Sequence, residues 1–118
     1  MKRDMDVIRT IILAVRNANA DDVVNSVEGI DAETFRFHAQ LLDEAGLVAG
    51  KVATDNIGMP KAAVLFRLTW AGHDFADSIV NETLWNKAKD KLMTPSLGWT
   101  FDILKDVLAS LIKKGLNL

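Results

Sequence analysis

DAETFRFHAQLLDEAGLVAGKVATDNIGMPKAAVLFRLTWAGHDF, residues 31–75, is the stretch that decides the fold. Its pattern predicts a helix that ends at Ala45 and Gly46, a β-strand, a polar turn, a second strand, and a helix that begins after Thr69. This order is typical of the second half of a winged helix-turn-helix. We therefore predict a mainly helical α+β fold with a recognition helix and a two-stranded β wing.

The predicted recognition helix runs from a cap at Asp31 to Ala45 and has two different faces. Its inner arc is mostly apolar and comprises Phe35, His38, Ala39, Leu41, Leu42 and Ala45. Its opposite arc comprises Glu33, Arg36, Phe37, Gln40, Asp43 and Glu44. Arg36 and Gln40 can pair with guanine and adenine edges, whereas the three acids would repel phosphates. Phe37 on the same arc leaves room for a protein partner.

The predicted wing consists of strands over Val48 to Val52 and Ala63 to Leu68, because branched and aromatic residues are frequent there. The turn formers between them predict a loop over Ala53 to Lys61. Three cations lie along this ribbon: Lys51, Lys61 and Arg67. They would meet a DNA backbone if the wing lies on DNA. The alternative is that they are solvated charges of an exposed hairpin.

Two helices are predicted before this stretch. Asp4 can accept hydrogen bonds from the free N–H groups of an opening turn, and the first helix then runs to about Arg16. Its apolar stripe comprises Met5, Ile8, Ile11, Ile12 and Val15. Asp21 or Asp22 is expected to cap a short helix through Ser26. That short helix would be the first of the helix-turn-helix pair.

Three helices are predicted after the wing. The first begins at Trp70, the second is capped by Asn81 or Thr83, and the third begins at Thr100. A break over residues 94–98, TPSLG, separates the last two. The exposed side of the second helix is basic, with Lys87, Lys89 and Lys91. Such a cluster is either a solvated face or a nucleic-acid contact.

The last predicted helix is unusually apolar for the tail of a small domain. Four of its residues are candidate contacts in a homodimer: Leu104, Leu108, Leu111 and Ile112. Burial of this face against a second copy of the chain would explain its composition. The alternative is that the helix packs on the first helix of its own chain.

Length and composition limit what the chain can be. Its 118 residues fit one domain over 1–118, with a core over 1–82 and a C-terminal helical extension over 83–118. Cysteine is absent, which excludes thiolate catalysis and disulfides. His38 and His73 do not have metal-ligand spacing, and no nucleophile-base pair is recognisable, so we expect no metal, no cofactor and no enzymatic activity. No apolar run approaches the ~20 residues that span a bilayer, and a cytoplasmic protein is expected.

Four segments together resemble a known family. MKRDMDVIR at 1–9, HAQLLDEAGLV at 38–48, RLTWAGHDFADSI at 67–79 and LWNKAKDKL at 84–92 are similar, in this order, to the bacterial and prophage proteins grouped as domain of unknown function 2513. RLTWAGHDF is the most specific of these motifs. The resemblance implies a winged-helix fold and a frequent location in mobile elements, but no activity and no site residues.

We expect the protein to act by binding a partner and not by catalysing a reaction. The leading hypothesis is a DNA-binding, transcriptional-regulator-like protein of phage or mobile-element type that occupies double-stranded DNA. Its candidate contacts are Arg36, Gln40, Lys51, Lys61 and Arg67. The alternative is a winged helix used for protein recognition, for example a phage factor that binds a host protein. The formal net charge of -2 favours the alternative.

Overall fold

The chain forms two compact units in the computed structural model, residues 1–76 and residues 77–118. The structure describes residues 1–92 and 100–116, and the predicted break over residues 94–98 lies outside them. The helices and strands are α1 (Met5–Asn17), α2 (Ala32–Glu44), β1 (Val48–Thr54), β2 (Pro60–Leu68), α3 (Trp70–Ile79), α4 (Glu82–Leu92) and α5 (Phe101–Leu116). Within the described residues there are thus five helices and one two-stranded antiparallel sheet, which confirms the predicted α+β class. The units divide inside α3, between residues 76 and 77. The single domain with a core over 1–82 and an extension over 83–118 stays a prediction.

The first unit packs α1 and α2 against each other and against β2. Asp4 and Asp31 cap the two helices as predicted, because their carboxylates accept backbone N–H groups of the first turn. The predicted stripe of α1 is buried at each of its five positions. On α2 the buried residues are Phe35, His38, Ala39 and Leu42. The sheet adds Val48, Ala63, Leu65 and Leu68 to this core.

The short helix predicted through Ser26 is wrong. Between α1 and α2 the chain forms turns, and Val24 makes an isolated antiparallel bridge to Leu65 of β2. The N–H of Val24 donates to the Leu65 carbonyl at 2.9 Å, and the N–H of Leu65 donates back at 2.8 Å. The apolar residues of the predicted helix are Val23 and Val24, whose branched side chains fit extended backbone better than helix. The short helix predicted before α2 is therefore replaced by a bridge and a turn.

The hairpin strands are longer than predicted. β1 continues to Thr54 and β2 already begins at Pro60, so the turn covers residues 55–59 and not Ala53 to Lys61. Proline is compatible with this place because it is the first residue of its strand. The register shifts between Ala53 and Thr54, next to the turn.

The start of α3 is joined closely to the turn between α2 and β1. Gly46 adopts a φ of 72°, the left-handed conformation predicted after the end of α2. Thr69 Oγ1 donates to the Gly46 carbonyl at 2.6 Å and accepts the N–H of Gly72 at 3.1 Å, which confirms Thr69 as the cap. A Cβ atom at Gly72 would overlap the carbonyl oxygen of Leu47. Only glycine allows the helix to approach this backbone so closely.

The second unit contains the helical hairpin of α4 and α5, which contact each other. Asn81 caps α4 by accepting the N–H of Leu84 at 3.0 Å, and Thr100 caps α5 by accepting the N–H of Ile103 at 3.2 Å. The buried apolar residues of this unit include Ile79, Trp85, Ala88, Leu104, Leu108 and Leu111.

Candidate functional site

The outward face of α2 is acidic where it is most exposed. Its exposed charged residues are Glu33, Asp43 and Glu44, whereas Arg36 and Gln40 are partly buried. At the start of the helix, the hydroxyl of Thr34 donates to Asp31 at 2.7 Å, and this bond lowers the pKa of the Asp31 carboxyl together with the backbone N–H of Thr34. A phosphate backbone that approached α2 would therefore meet carboxylates first.

The turn of the hairpin is organised by one carboxylate. Asp55 Oδ1 accepts the N–H of Ile57 at 3.0 Å and the N–H of Met59 at 2.9 Å. The backbone N–H of Asp55 donates to the Met59 carbonyl at 2.9 Å, and Gly58 adopts a φ of 85°. The Met59 amide above all, and also the Ile57 amide and the Lys61 ammonium at 3.6 Å, lower the pKa of the Asp55 carboxyl. The turn therefore has a defined shape although it is exposed.

Gln40 connects this turn to α2. Its Nε2 donates to the carbonyl oxygen of Gly58 at 3.2 Å. The hairpin therefore bends over the outward face of α2 and does not extend away from it. The side-chain amide of Gln40, which is expected from the sequence to contact a DNA base, therefore already donates a hydrogen bond within its own chain.

A groove lies between α2 and the turn, with a volume of about 320 Å³. We call it the loop groove, and its lining residues are Met1, Glu33, Arg36, Phe37, Asp55, Ile57, Met59, Pro60 and Lys61. Three of its apolar side chains are well exposed: Ile57 at 83%, Met1 at 65% and Met59 at 50%. Surface residues of this size that cluster around a cleft are typical of binding sites.

Arg36 is the most unusual polar residue of the loop groove. Its Nε atom is buried and has no hydrogen-bond partner among the described residues. A buried donor without a partner is costly for the stability of the fold.

The five residues predicted to contact DNA are not brought together. Arg36 and Lys61 line the loop groove, and Gln40 holds the turn. Lys51 and Arg67 are exposed on the strands, and Arg67 Nη1 donates to the carbonyl of Leu68 at 3.1 Å. Ile57 and Met59, which also line the loop groove, were not predicted from the sequence, because isolated apolar residues in a polar turn form no recognisable pattern.

His38 has a structural role. It is 1% exposed, its Nδ1 lies 2.8 Å from the carbonyl of Thr34, and its Nε2 accepts the backbone N–H of Asp4 at 2.9 Å. These two partners require the neutral ring with the proton on Nδ1. Phe37 packs edge-on against the imidazole, with ring centroids 5.1 Å apart. His38 thus joins the start of α1 to α2.

The predicted dimer contacts lie in the second unit. Leu104 and Leu108 are completely buried within one chain, Leu111 is 8% exposed, and Ile112 is partly exposed. The three leucines therefore have little surface left for a second copy. A homodimer through this helix stays a prediction.

In the part of the chain that the structure describes, no group of three or more histidine, aspartate or glutamate side chains is arranged to hold a metal ion. None of the helices in the described ranges combines the length and apolarity needed to cross a membrane.

Comparison with known proteins identifies the family. The model of the family described as "Hypothetical protein (DUF2513)" matches residues 2–98. The chain belongs to this family. It is also similar to an uncharacterized protein of Haemophilus influenzae (strain ATCC 51907 / DSM 11121 / KW20 / Rd), with 34% identity over 118 residues that cover 97% of this chain and 98% of that protein. No solved structure matches the chain. The resemblance predicted from the four sequence segments is confirmed.

Proposed function

We propose that this family member is a binding protein of the winged-helix type, whose α2 and β1–β2 hairpin recognise a partner protein through the loop groove. The observation that carries the proposal is the bond from Gln40 to Gly58. It holds the turn against α2 and so presents Ile57 and Met59 beside Phe37.

The composition of the loop groove supports a protein partner. Protein interfaces combine an apolar centre, often with aromatic residues, methionine and arginine, with a polar rim. Here Met1, Phe37, Ile57 and Met59 supply apolar surface, and Glu33, Arg36, Asp55 and Lys61 supply charges of both signs.

Site-specific crosslinking in cells tests this proposal. A photoreactive amino acid at position 57 should trap a discrete protein that survives nuclease treatment, because Ile57 is the most exposed of the large apolar residues that line the loop groove. The matched control is position 23, where Val23 is exposed outside the groove. Met59→Asp should abolish the crosslink from position 57. The proposal fails if both positions trap the same proteins or if nuclease removes the product.

A second candidate is the DNA-binding regulator of phage or mobile-element type, acting in the cytoplasm as a homodimer. It is favoured by the exposure of Lys51, Lys61 and Arg67 along the hairpin, where a phosphate backbone could contact them. The acids on α2 and the ion pair of Lys61 with Asp55 weigh against it.

Salt-dependent binding to duplex DNA tests this candidate. The double variant Lys51→Glu and Lys61→Glu should bind more weakly and show a flatter dependence of log K on log salt concentration, since it makes fewer phosphate contacts. Lys114→Glu, which changes an exposed charge on α5, is the control. Unchanged affinity and slope in the double variant would remove DNA from consideration at this hairpin.

A further inference from the structure

A second groove lies in the first unit, with a volume of about 460 Å³. The end of α1, the turn after it, the end of β2 and the beginning of α3 converge to form it. Its lining residues are Val15, Arg16, Ala18, Asn19, Ala20, Phe66, Arg67, Leu68 and His73. We call it the cationic groove, and it shares no lining residue with the loop groove.

The charge of the cationic groove differs from that of the chain as a whole. The chain carries a formal net charge of -2, yet two arginines, Arg16 and Arg67, line this cleft together with His73, and none of the described residues that line it is acidic. Arg67 uses one N–H in its bond to the Leu68 carbonyl. A guanidinium has five such donors, so this bond positions the side chain without exhausting its capacity to bind an anion.

Aromatic side chains accompany these two arginines and His73. Phe66 lines the cationic groove and is 45% exposed. Trp70 is not a lining residue of the groove, but it is 86% exposed and precedes His73, which is one, by three residues on α3. The side chains of Trp70 and His73 are therefore neighbours on one face of the helix. A tryptophan this exposed leaves a large flat surface in water, which a planar ligand could cover.

We propose that the cationic groove binds a nucleotide unit. The phosphate lies against Arg16, Arg67 and His73, and the base stacks on the exposed rings of Phe66 and Trp70. Guanidinium groups and stacking platforms are the features with which proteins bind nucleotides that are not base-paired. The ligand is either a free nucleotide or one unit of a single-stranded nucleic acid. The inference goes beyond the protein partner proposed for the loop groove and does not depend on it.

Fluorescence anisotropy with the full chain tests the assignment. The probes are a labelled single-stranded oligothymidylate, a duplex of equal length, and unlabelled AMP as competitor. The oligothymidylate should bind saturably and more tightly than the duplex. Trp70→Ala should weaken its binding by about tenfold, and Trp70→Phe should retain most of it, since stacking on one ring typically contributes this much.

Charge and stacking are separated by further variants. The double variant Arg16→Gln and Arg67→Gln should also weaken binding by about tenfold or more, whereas Lys114→Gln, which removes an exposed charge on α5 outside the cationic groove, should not change it. Circular dichroism melting checks that the arginine variant folds. If the arginine variant does not fold, Trp70→Ala still tests the proposal, because so exposed a side chain can be removed without unfolding the chain.

Each outcome distinguishes one source of the ligand or overturns the proposal. Competition by AMP at micromolar to low millimolar concentrations supports a free nucleotide, and oligothymidylate binding that AMP does not displace supports a single strand. Absence of binding, preference for the duplex, or binding that Trp70→Ala leaves intact overturns the nucleotide assignment.

Discussion

The two ends of the β1–β2 hairpin are held in different ways. At the base, Leu47, Leu68 and Gly72 are buried, and the backbone of α3 lies directly on the turn after α2. At the tip, Asp55 and Gln40 hold an exposed turn with hydrogen bonds at the surface. The base therefore determines the fold, whereas the tip presents side chains for binding. Substitutions at the base should lower the free energy of unfolding of the whole unit. Substitutions at the tip should disturb only the local order of the turn.

Gly72→Ala should have the largest effect. The added Cβ would overlap the Leu47 carbonyl, which cannot move without displacing β1, so we expect a loss of about 3 kcal/mol in the free energy of unfolding. Gly58→Ala at the tip is the matched control. A Cβ there meets open space, and only the positive φ opposes it, at about 1 kcal/mol. Urea denaturation measures both, and equal losses would contradict the contrast between base and tip.

Thr69→Val should come next. The change keeps the shape of the side chain but removes the donor to Gly46 and the acceptor for the Gly72 N–H. Loss of a helix cap of this kind costs about 1 kcal/mol. Thr54→Val makes the same chemical change at the exposed end of β1 and should shift stability by less than about 0.5 kcal/mol. Thermal melting of the two variants would show no difference if the base were held by apolar contacts alone.

Asp55→Ala should loosen the tip and leave the base intact. Without the carboxylate, the N–H groups of Ile57 and Met59 lose their acceptor, and their hydrogen exchange should accelerate by about tenfold. Asp55→Asn keeps an acceptor oxygen and loses only the charge, so its effect should be smaller. The exchange of the Leu65 amide, which is bonded to Val24, reports on the core and should not change. A global loss of protection would show that the tip supports the whole unit.

Lowering the pH should have the smallest effect of these changes. This effect too should be confined to the tip of the hairpin. The pKa of Asp55 is lowered in the folded chain, mainly by the Met59 amide. Its contribution is therefore complete above the unfolded pKa and is lost as the pH falls through the lower folded pKa. Exchange at Met59, corrected for its intrinsic pH dependence, should show this transition. Asp55→Asn should lack it, and a transition in that variant would assign the effect to another group.

Local chemistry explains why much of the fold was predictable. The caps Asp4, Asp31 and Thr69 act on N–H groups two or three residues away, and the left-handed Gly46 follows directly from the end of α2. Apolar spacing within one helix likewise defined the buried stripe of α1. Interactions over such short distances are visible in the order of residues.

The errors arose where distant residues decide the conformation. The sequence predicts a short helix through Ser26, where the chain instead forms a bridge from Val24 to Leu65. Local sequence does not reveal this bridge, because Leu65 lies some 40 residues farther along the chain. The hydrogen bond from Gln40 to Gly58 is not predictable from local sequence, because the two residues are 18 positions apart and come together only when the hairpin folds. The same holds for the loop groove, where apolar residues of the turn lie beside Glu33 and Phe37 of α2.

The sequence by itself determined the family, the helix caps, the apolar face of each main helix and the existence of a hairpin. Only the tertiary structure decided that the hairpin bends over α2, that His38 joins α1 to α2, and that Arg16, Arg67 and His73 line one groove. The physical reason is the distance along the chain between the residues that interact. Caps and periodicity depend on neighbours within a turn or two of helix, whereas grooves form where separate elements are packed together, and their packing is decided by the whole core.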